Sequence, residues 1–274
     1  MGISNFKSQS FVTRVISGAI LAVVTIAVLL AGDWVTYGAI LAVSLIGMFE
    51  LFRVFKIENR LVGWIGYGAA VVYFILLRSD LEDMIMLLLV LLVIAVMAAY
   101  VFTFPKYETI EVFASVFGWI YVAVMMSYVY LIRMSEGGIY TIWLVFLCSW
   151  VCDTFAYLAG MAMGKHKMSP ILSPKKTIEG AVGGVAGSAL LGIIYAVCLQ
   201  EQLDFLSNPI LIIPIICVCG SLISMVGDLA ASAIKRKHDI KDYGTLIPGH
   251  GGILDRFDSV IITAPIIYYL LQLL

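Results

Sequence analysis

Residues 232–258 read SAIKRKHDIKDYGTLIPGHGGILDRFD and stand between two long apolar runs. Charge and glycine held between runs of that length imply helices that cross a bilayer, with the polar stretch at its edge. The stretch carries the cations Lys235, Arg236, Lys237 and Lys241 and the carboxylates Asp239, Asp242, Asp255 and Asp258. Between them lies a glycine-rich turn, Pro248-Gly249-His250-Gly251-Gly252. Cations and backbone N–H groups suit phosphates, and paired carboxylates suit a divalent metal. Together they point to a polyphosphate–metal site at a membrane surface.

The rest of the 274-residue chain agrees. It is 62% hydrophobic and 13% charged, with a mean hydropathy of +1.04. A soluble domain is roughly 45–50% apolar and about 25% charged, so the fold expected is an all-α, polytopic membrane bundle. Apolar runs of spanning length fall near 11–31, 34–52, 61–78, 84–104, 109–132, 139–160, 177–199, 209–233 and 258–273, nine in all. The run from Val15 to Ala31 is longer than the apolar core of a cleaved signal and reads as a retained first helix.

Nine spans put fifteen of the seventeen Lys and Arg on one side, Lys7 and Arg14 among them, and leave Arg78 and Arg133 on the other. The positive-inside bias then places the N-terminus in the cytoplasm and the C-terminus outside. Residues 1–138 read as scaffold helices. Residues 139–274 hold the chemistry, with cytoplasmic loops at 161–176 and 234–257.

Asp153 interrupts the apolar segment CSWVCDTFAYLAG. A carboxylate at that depth costs several kcal/mol unless paired, solvated or metal-bound, so it is expected to wall a polar cavity. Downstream, Ser173-Pro174-Lys175-Lys176-Thr177-Ile178-Glu179-Gly180 reads as a helix start capped by Ser173. Lysines at a helix N-terminus oppose its dipole unless an anion sits there, and that makes Lys175 and Lys176 phosphate-binding candidates. The small residues that follow, Gly180 to Ser188, suit close helix packing.

Asp228 leads into the polar stretch and Asp255 leads out of it. Asp255 and Asp258, three apart, share a face if the last helix begins near them. Oxygen ligands of this kind suit Mg²⁺, which takes one or two carboxylates together with substrate phosphates. His250 could donate to a phosphate oxygen or carry a proton near neutral pH. Glu50, in FELFR, reads as a structural partner of Arg53. The five cysteines all fall in apolar segments and read as small buried hydrophobes.

At these residues the chain resembles the CDP-diacylglycerol synthase, or phosphatidate cytidylyltransferase, family. Its pattern S-x-x-K-R, four residues, K-D, five residues, P-x-H-G-G-x-x-D-R-x-D is filled by Ser232, Lys235, Arg236, Lys241, Asp242, Pro248, His250, Gly251, Gly252, Asp255, Arg256 and Asp258. Asp153 to Tyr157 and Ser173 to Gly180 also resemble the family. The likeness implies transfer of the cytidylyl group of CTP to phosphatidic acid, giving CDP-diacylglycerol and pyrophosphate, with Mg²⁺ required and a second cation left open.

Carried onto this chain, the likeness makes Asp228, Asp255 and Asp258 the metal ligands. With Lys241 and His250 they form the catalytic set. Asp153, Ser173, Lys175, Lys176, Glu179, Ser232, Lys235, Arg236, Asp242, Gly251, Gly252 and Arg256 are then substrate-binding. The glycines would let backbone approach the ligand. A homodimer in a bacterial inner membrane, active on the cytoplasmic side, is the expected setting, and no nucleic-acid partner is expected. A polyprenol kinase-like enzyme and a cation-coupled transporter are the competing readings. The first changes the acceptor, and the second leaves the Lys, Gly and His of the loop without a task.

Overall fold

The computed structural model of the chain describes residues 2–79 and 81–274. It is helical almost throughout: α1 (Gly2–Ala31), α2 (Asp33–Val54), α3 (Leu61–Leu77), α4 (Ile85–Phe102), α5 (Thr109–Met134), α6 (Gly138–Met163), α7 (Ile178–Cys198), α8 (Pro209–Lys237) and α9 (Leu254–Leu273). Between α6 and α7 lies a short antiparallel hairpin, β1 (Lys167–Ser169) and β2 (Ser173–Thr177).

Among the described residues, seven helices have the length and composition to cross a bilayer. The other two are α3, with 17 residues, and α9, which opens on Asp255, Arg256 and Asp258. The chain is an integral membrane protein. Lys7, counted above with the majority of the cations, falls at residues 2–12, whose side chains lie outside the description.

The chain divides into two compact units. The first comprises residues 1–127 and the loop 242–256. Its core forms around Phe52 of α2, fully buried, whose ring lies against Gly66 of α3 and Gly118 of α5. Glycine at both places lets three backbones close on one aromatic ring. Ser115 Oγ donates to the Val62 carbonyl at 2.6 Å, and Tyr73 and Ser127 share a buried hydroxyl contact at 2.8 Å. Arg78 gains an account that the sequence did not supply. It pairs with Asp33 at 2.6 Å, and its guanidinium lies 3.5 Å from the centre of the Trp34 ring.

The second unit comprises residues 128–241 and 257–274. Here the small face of α7 packs on α6, as its composition predicts. A Cβ on Gly180 or Gly184 would press on the carbonyls of Ala156 and Cys152, and one on Gly187 would meet the Phe155 ring. Cys148, Cys152 and Cys217 are buried, as read from the sequence, whereas Cys219 is half-buried and Cys198, the last residue of α7, is exposed; none of the five forms a disulfide. Helix α6 carries a π-turn over Leu147–Val151. One added residue there turns the following face, which holds Asp153, relative to a plain α-helix.

Candidate active site

The second unit holds a cavity of about 450 Å³. Asp153 of α6, Lys167 of β1, Lys175 and Lys176 of β2, and Asp228 of α8 supply its charge, and Tyr157 and Met161 are among its apolar walls. Asp153 lines this cavity, whose walls are largely apolar, rather than the polar cavity expected from the sequence. Lys176 Nζ lies 2.6 Å from Asp228 Oδ2 and 3.8 Å from Asp153 Oδ1. Burial opposes the charge on Lys176 more than any other single influence. Asp228 and Asp153 together outweigh it and hold the lysine above its ordinary pKa.

The lysines do not open a helix, contrary to the sequence reading. They lie on β2, and α7 starts at Ile178 with Thr177 as its cap, whose hydroxyl accepts the Gly180 N–H at 3.1 Å. Ser173 instead pairs with Ser169 across the hairpin. Thr177 wins because its side chain is buried at the helix end and can reach the third amide of the helix. Glu179 completes that end. Its carboxylate accepts the N–H groups of Lys165 and His166 at 3.0 and 3.2 Å and meets His166 Nδ1 at 2.6 Å. It thus ties the segment before the hairpin to α7 and favours the helix dipole.

Along α8, Asp228 is followed one turn later by half-buried Ser232, then by Lys235 and by exposed Arg236. Lys235 Nζ stands 4.0 Å from Asp258 Oδ2 on α9. Asp258 is 7% exposed and feels the charges of Asp228 and Asp153. Gly227 makes the approach possible, since a Cβ there would crowd the Asp258 carbonyl. Lys241 is exposed at the end of this segment.

Among the described residues, no group of three or more His, Cys, Asp or Glu is arranged to hold a metal. The second unit does bring the hard oxygens of Asp228 and Asp258 into electrostatic reach of one another. Two carboxylates, with water and substrate phosphates completing the shell, are a donor set that fits Mg²⁺.

The loop 242–256 belongs to the first unit and carries the rest of the signature. Asp255 is buried, and its Oδ2 accepts the N–H groups of Tyr243 at 2.7 Å and Gly252 at 3.0 Å. Asp242 is exposed and Arg256 half-buried. His250 Nδ1 lies 2.8 Å from Ser17 Oγ of α1, and the same hydroxyl lies 2.9 Å from the Pro248 carbonyl. Burial, then Arg256 and Arg14, push the imidazole below its ordinary pKa.

Glu50 departs from the pairing with Arg53. Its two oxygens accept the N–H groups of Ile253 at 3.0 Å and Leu254 at 2.8 Å, while Arg53 Nη2 donates to the Tyr243 carbonyl at 2.5 Å. The sequence offered a signal for it, a carboxylate inside an apolar helix, the same signal that singled out Asp153.

The whole chain can be compared with known proteins. The sequence profile of the Cytidylyltransferase family matches residues 12–274. A phosphatidate cytidylyltransferase of Bacillus subtilis is 32% identical over 273 residues, covering 95% of this chain and 97% of the relative. One from Synechocystis is 31% identical, over 95% and 96%. One from Staphylococcus epidermidis is 42% identical over 151 residues, 55% of each chain. With its polar signature, its cavity and its spanning helices, the chain belongs to the cytidylyltransferase family.

Proposed function

We propose that this enzyme transfers the cytidylyl group of CTP to phosphatidic acid, giving CDP-diacylglycerol and pyrophosphate. The observation that carries the proposal is Lys176, held between Asp228 and Asp153 at the edge of a cavity whose other walls are largely apolar. A phosphate entering there meets a lysine kept charged by its neighbours. The apolar walls suit the rest of a lipid substrate or the face of a base.

A phosphatidate oxygen attacks the α-phosphorus of CTP. The bond to the β-phosphate oxygen breaks, and pyrophosphate leaves. The phosphate nucleophile is already ionised near neutral pH, so the protein's work is to position and to neutralise charge. Lys175 and Lys176 take the triphosphate, and Lys235, Arg236 and Lys241 gather phosphate at the cytoplasmic end of α8. Mg²⁺, held through Asp228 and Asp258, would offset charge on the phosphates. The setting proposed is the cytoplasmic face of a bacterial inner membrane, where both substrates are at hand, with the enzyme as a homodimer.

The test supplies purified protein in detergent with phosphatidic acid, Mg²⁺ and CTP labelled at the α-phosphorus. Label in a lipid product, abolished by a chelator of divalent cations, is the expected result. A kinase would leave the lipid unlabelled, and a transporter would leave CTP intact. Either outcome ends this proposal.

A further inference from the structure

We infer that Glu50, on α2 and outside the polar signature, is a positioning residue for this reaction. It holds the loop 243–254 and sets the first turn of α9, the helix that presents Asp255 and Asp258. The inference rests on the cytidylyl-transfer reading for what is being positioned. The geometry it starts from stands independently.

Glu50 is 3% exposed. A carboxylate at that burial is costly unless its oxygens find donors, and both do, in the amides of Ile253 and Leu254. Those amides open α9 and have no acceptor within their own helix. Glu50 therefore caps α9 from another helix, and its charge suits the positive end of the helix dipole.

The loop is cut to receive this carboxylate. A Cβ on Gly244 or Gly252 would collide with Glu50. One turn along α2, Arg53 grips the other end of the loop through the Tyr243 carbonyl. Asp255 closes the ring by accepting the amides of Tyr243 and Gly252. One helix face thus fixes both ends of a loop that carries His250 and leads into the acidic turn of α9.

A purely space-filling role for Glu50 makes a different forecast from a positioning role. Glu50→Gln keeps the volume but turns an amide NH₂ toward one of the two N–H donors. Glu50→Asp keeps the charge and both acceptors but shortens the reach. If Glu50 only fills space, Gln is benign and Asp harmful. If it positions the loop, Gln is harmful and Asp recovers part of the loss.

The experiment measures turnover per folded protein in detergent, with hydrogen exchange of the loop amides recorded on the same samples. In Glu50→Gln, turnover is expected to fall about tenfold or more, the scale of losing a hydrogen bond to a charged group. The amides of Gly252, Ile253 and Leu254 should exchange faster, while those of α7 keep the parental rate. Gly252→Ala, which pushes on Glu50 from the other side, should give the same local exchange pattern, and it serves if Glu50→Gln does not fold.

Parental turnover in Glu50→Gln overturns the inference even if exchange changes, since the loop would then be held for stability alone. A loss of turnover with unchanged loop exchange also overturns it, because Glu50 would be acting elsewhere. A parental enzyme that labels no lipid defeats the cytidylyl-transfer proposal instead, and exchange in the variants then still reports whether Glu50 holds the loop.

Discussion

Replacing Lys176 by Met tests the cavity most directly. Methionine keeps the apolar stem and deletes the ammonium that lies 2.6 Å from Asp228 and 3.8 Å from Asp153. Lys176 and Asp228 are 28% and 25% exposed at the side chain. They sit between the surface case, worth about 0–1 kcal/mol, and the buried case, where removing one partner costs about 3–5 kcal/mol. A loss of about 2 kcal/mol in stability is the expectation on that scale. For function, a phosphate that loses one charge-assisted donor gives up about 1.5–3 kcal/mol, on the order of ten- to a hundred-fold in apparent CTP affinity.

These two effects can be separated. Adding Asp228→Asn to Lys176→Met removes much of the uncompensated charge, so thermal stability in detergent should recover by more than half of the loss. Activity should not recover, since neither a phosphate donor nor a metal ligand has been restored. The assay is transfer of label from CTP to lipid as a function of CTP concentration, beside a thermal melt of each variant. An apparent CTP affinity equal to the parent's in Lys176→Met would refute the phosphate role. A double variant as active as the parent would refute the role of both residues.

Asp255 invites a paired substitution, because its Oδ2 orders the loop while the site reading also gives it to a metal. Asn retains an acceptor for the two amides, so Asp255→Asn should melt near the parental temperature yet lose label transfer. Asp255→Ala should lose both, and equal melting of the two variants would remove the loop role. His250 gives a pH dependence. Its folded pKa lies below the ordinary value of about 6.5, so the unfolded chain binds more protons in the window between the two. Its contribution to stability is thus fully present above about 6.5 and is lost as pH falls toward the folded value. His250→Gln should flatten the melting temperature over that window, and an unchanged slope would count against it.

The helical, membrane-spanning architecture was legible because it rests on run length and composition, which the sequence carries locally. The close face of α7 on α6 was legible for the same reason, since glycines at helical spacing announce where backbones meet. Asp153 could be found because a carboxylate in an apolar run must be accounted for. The cap of α7 was misplaced by four residues, Ser173 for Thr177. Pro174 and Ser173 gave a sound local signal for a helix, but the hairpin between 167 and 177 depends on strand pairing and on burial of Thr177, which no local signal reports. Arg78 was unexplained in sequence because its partners, Asp33 and Trp34, lie more than forty positions away.

The glycines of the polar stretch carry a different lesson. The family likeness implies that they let backbone approach a ligand. Yet Gly252 faces Glu50, and a Cβ on Gly251 would stand 2.7 Å from Asp255 Oδ2. Gly249 and Gly251 also adopt positive φ, 76° and 83°, where any larger residue is strained. The small residues thus admit the chain's own carboxylates and let the loop turn. The charge pattern pointed to the right stretch of sequence, but the glycines within it answer to the chain's own side chains, Gly244 and Gly252 to Glu50 about two hundred positions away, Gly251 to Asp255 and Gly249 to Arg14. The phosphate chemistry must therefore be argued from Lys176 and its carboxylates, where charge and cavity coincide, and not from glycine content.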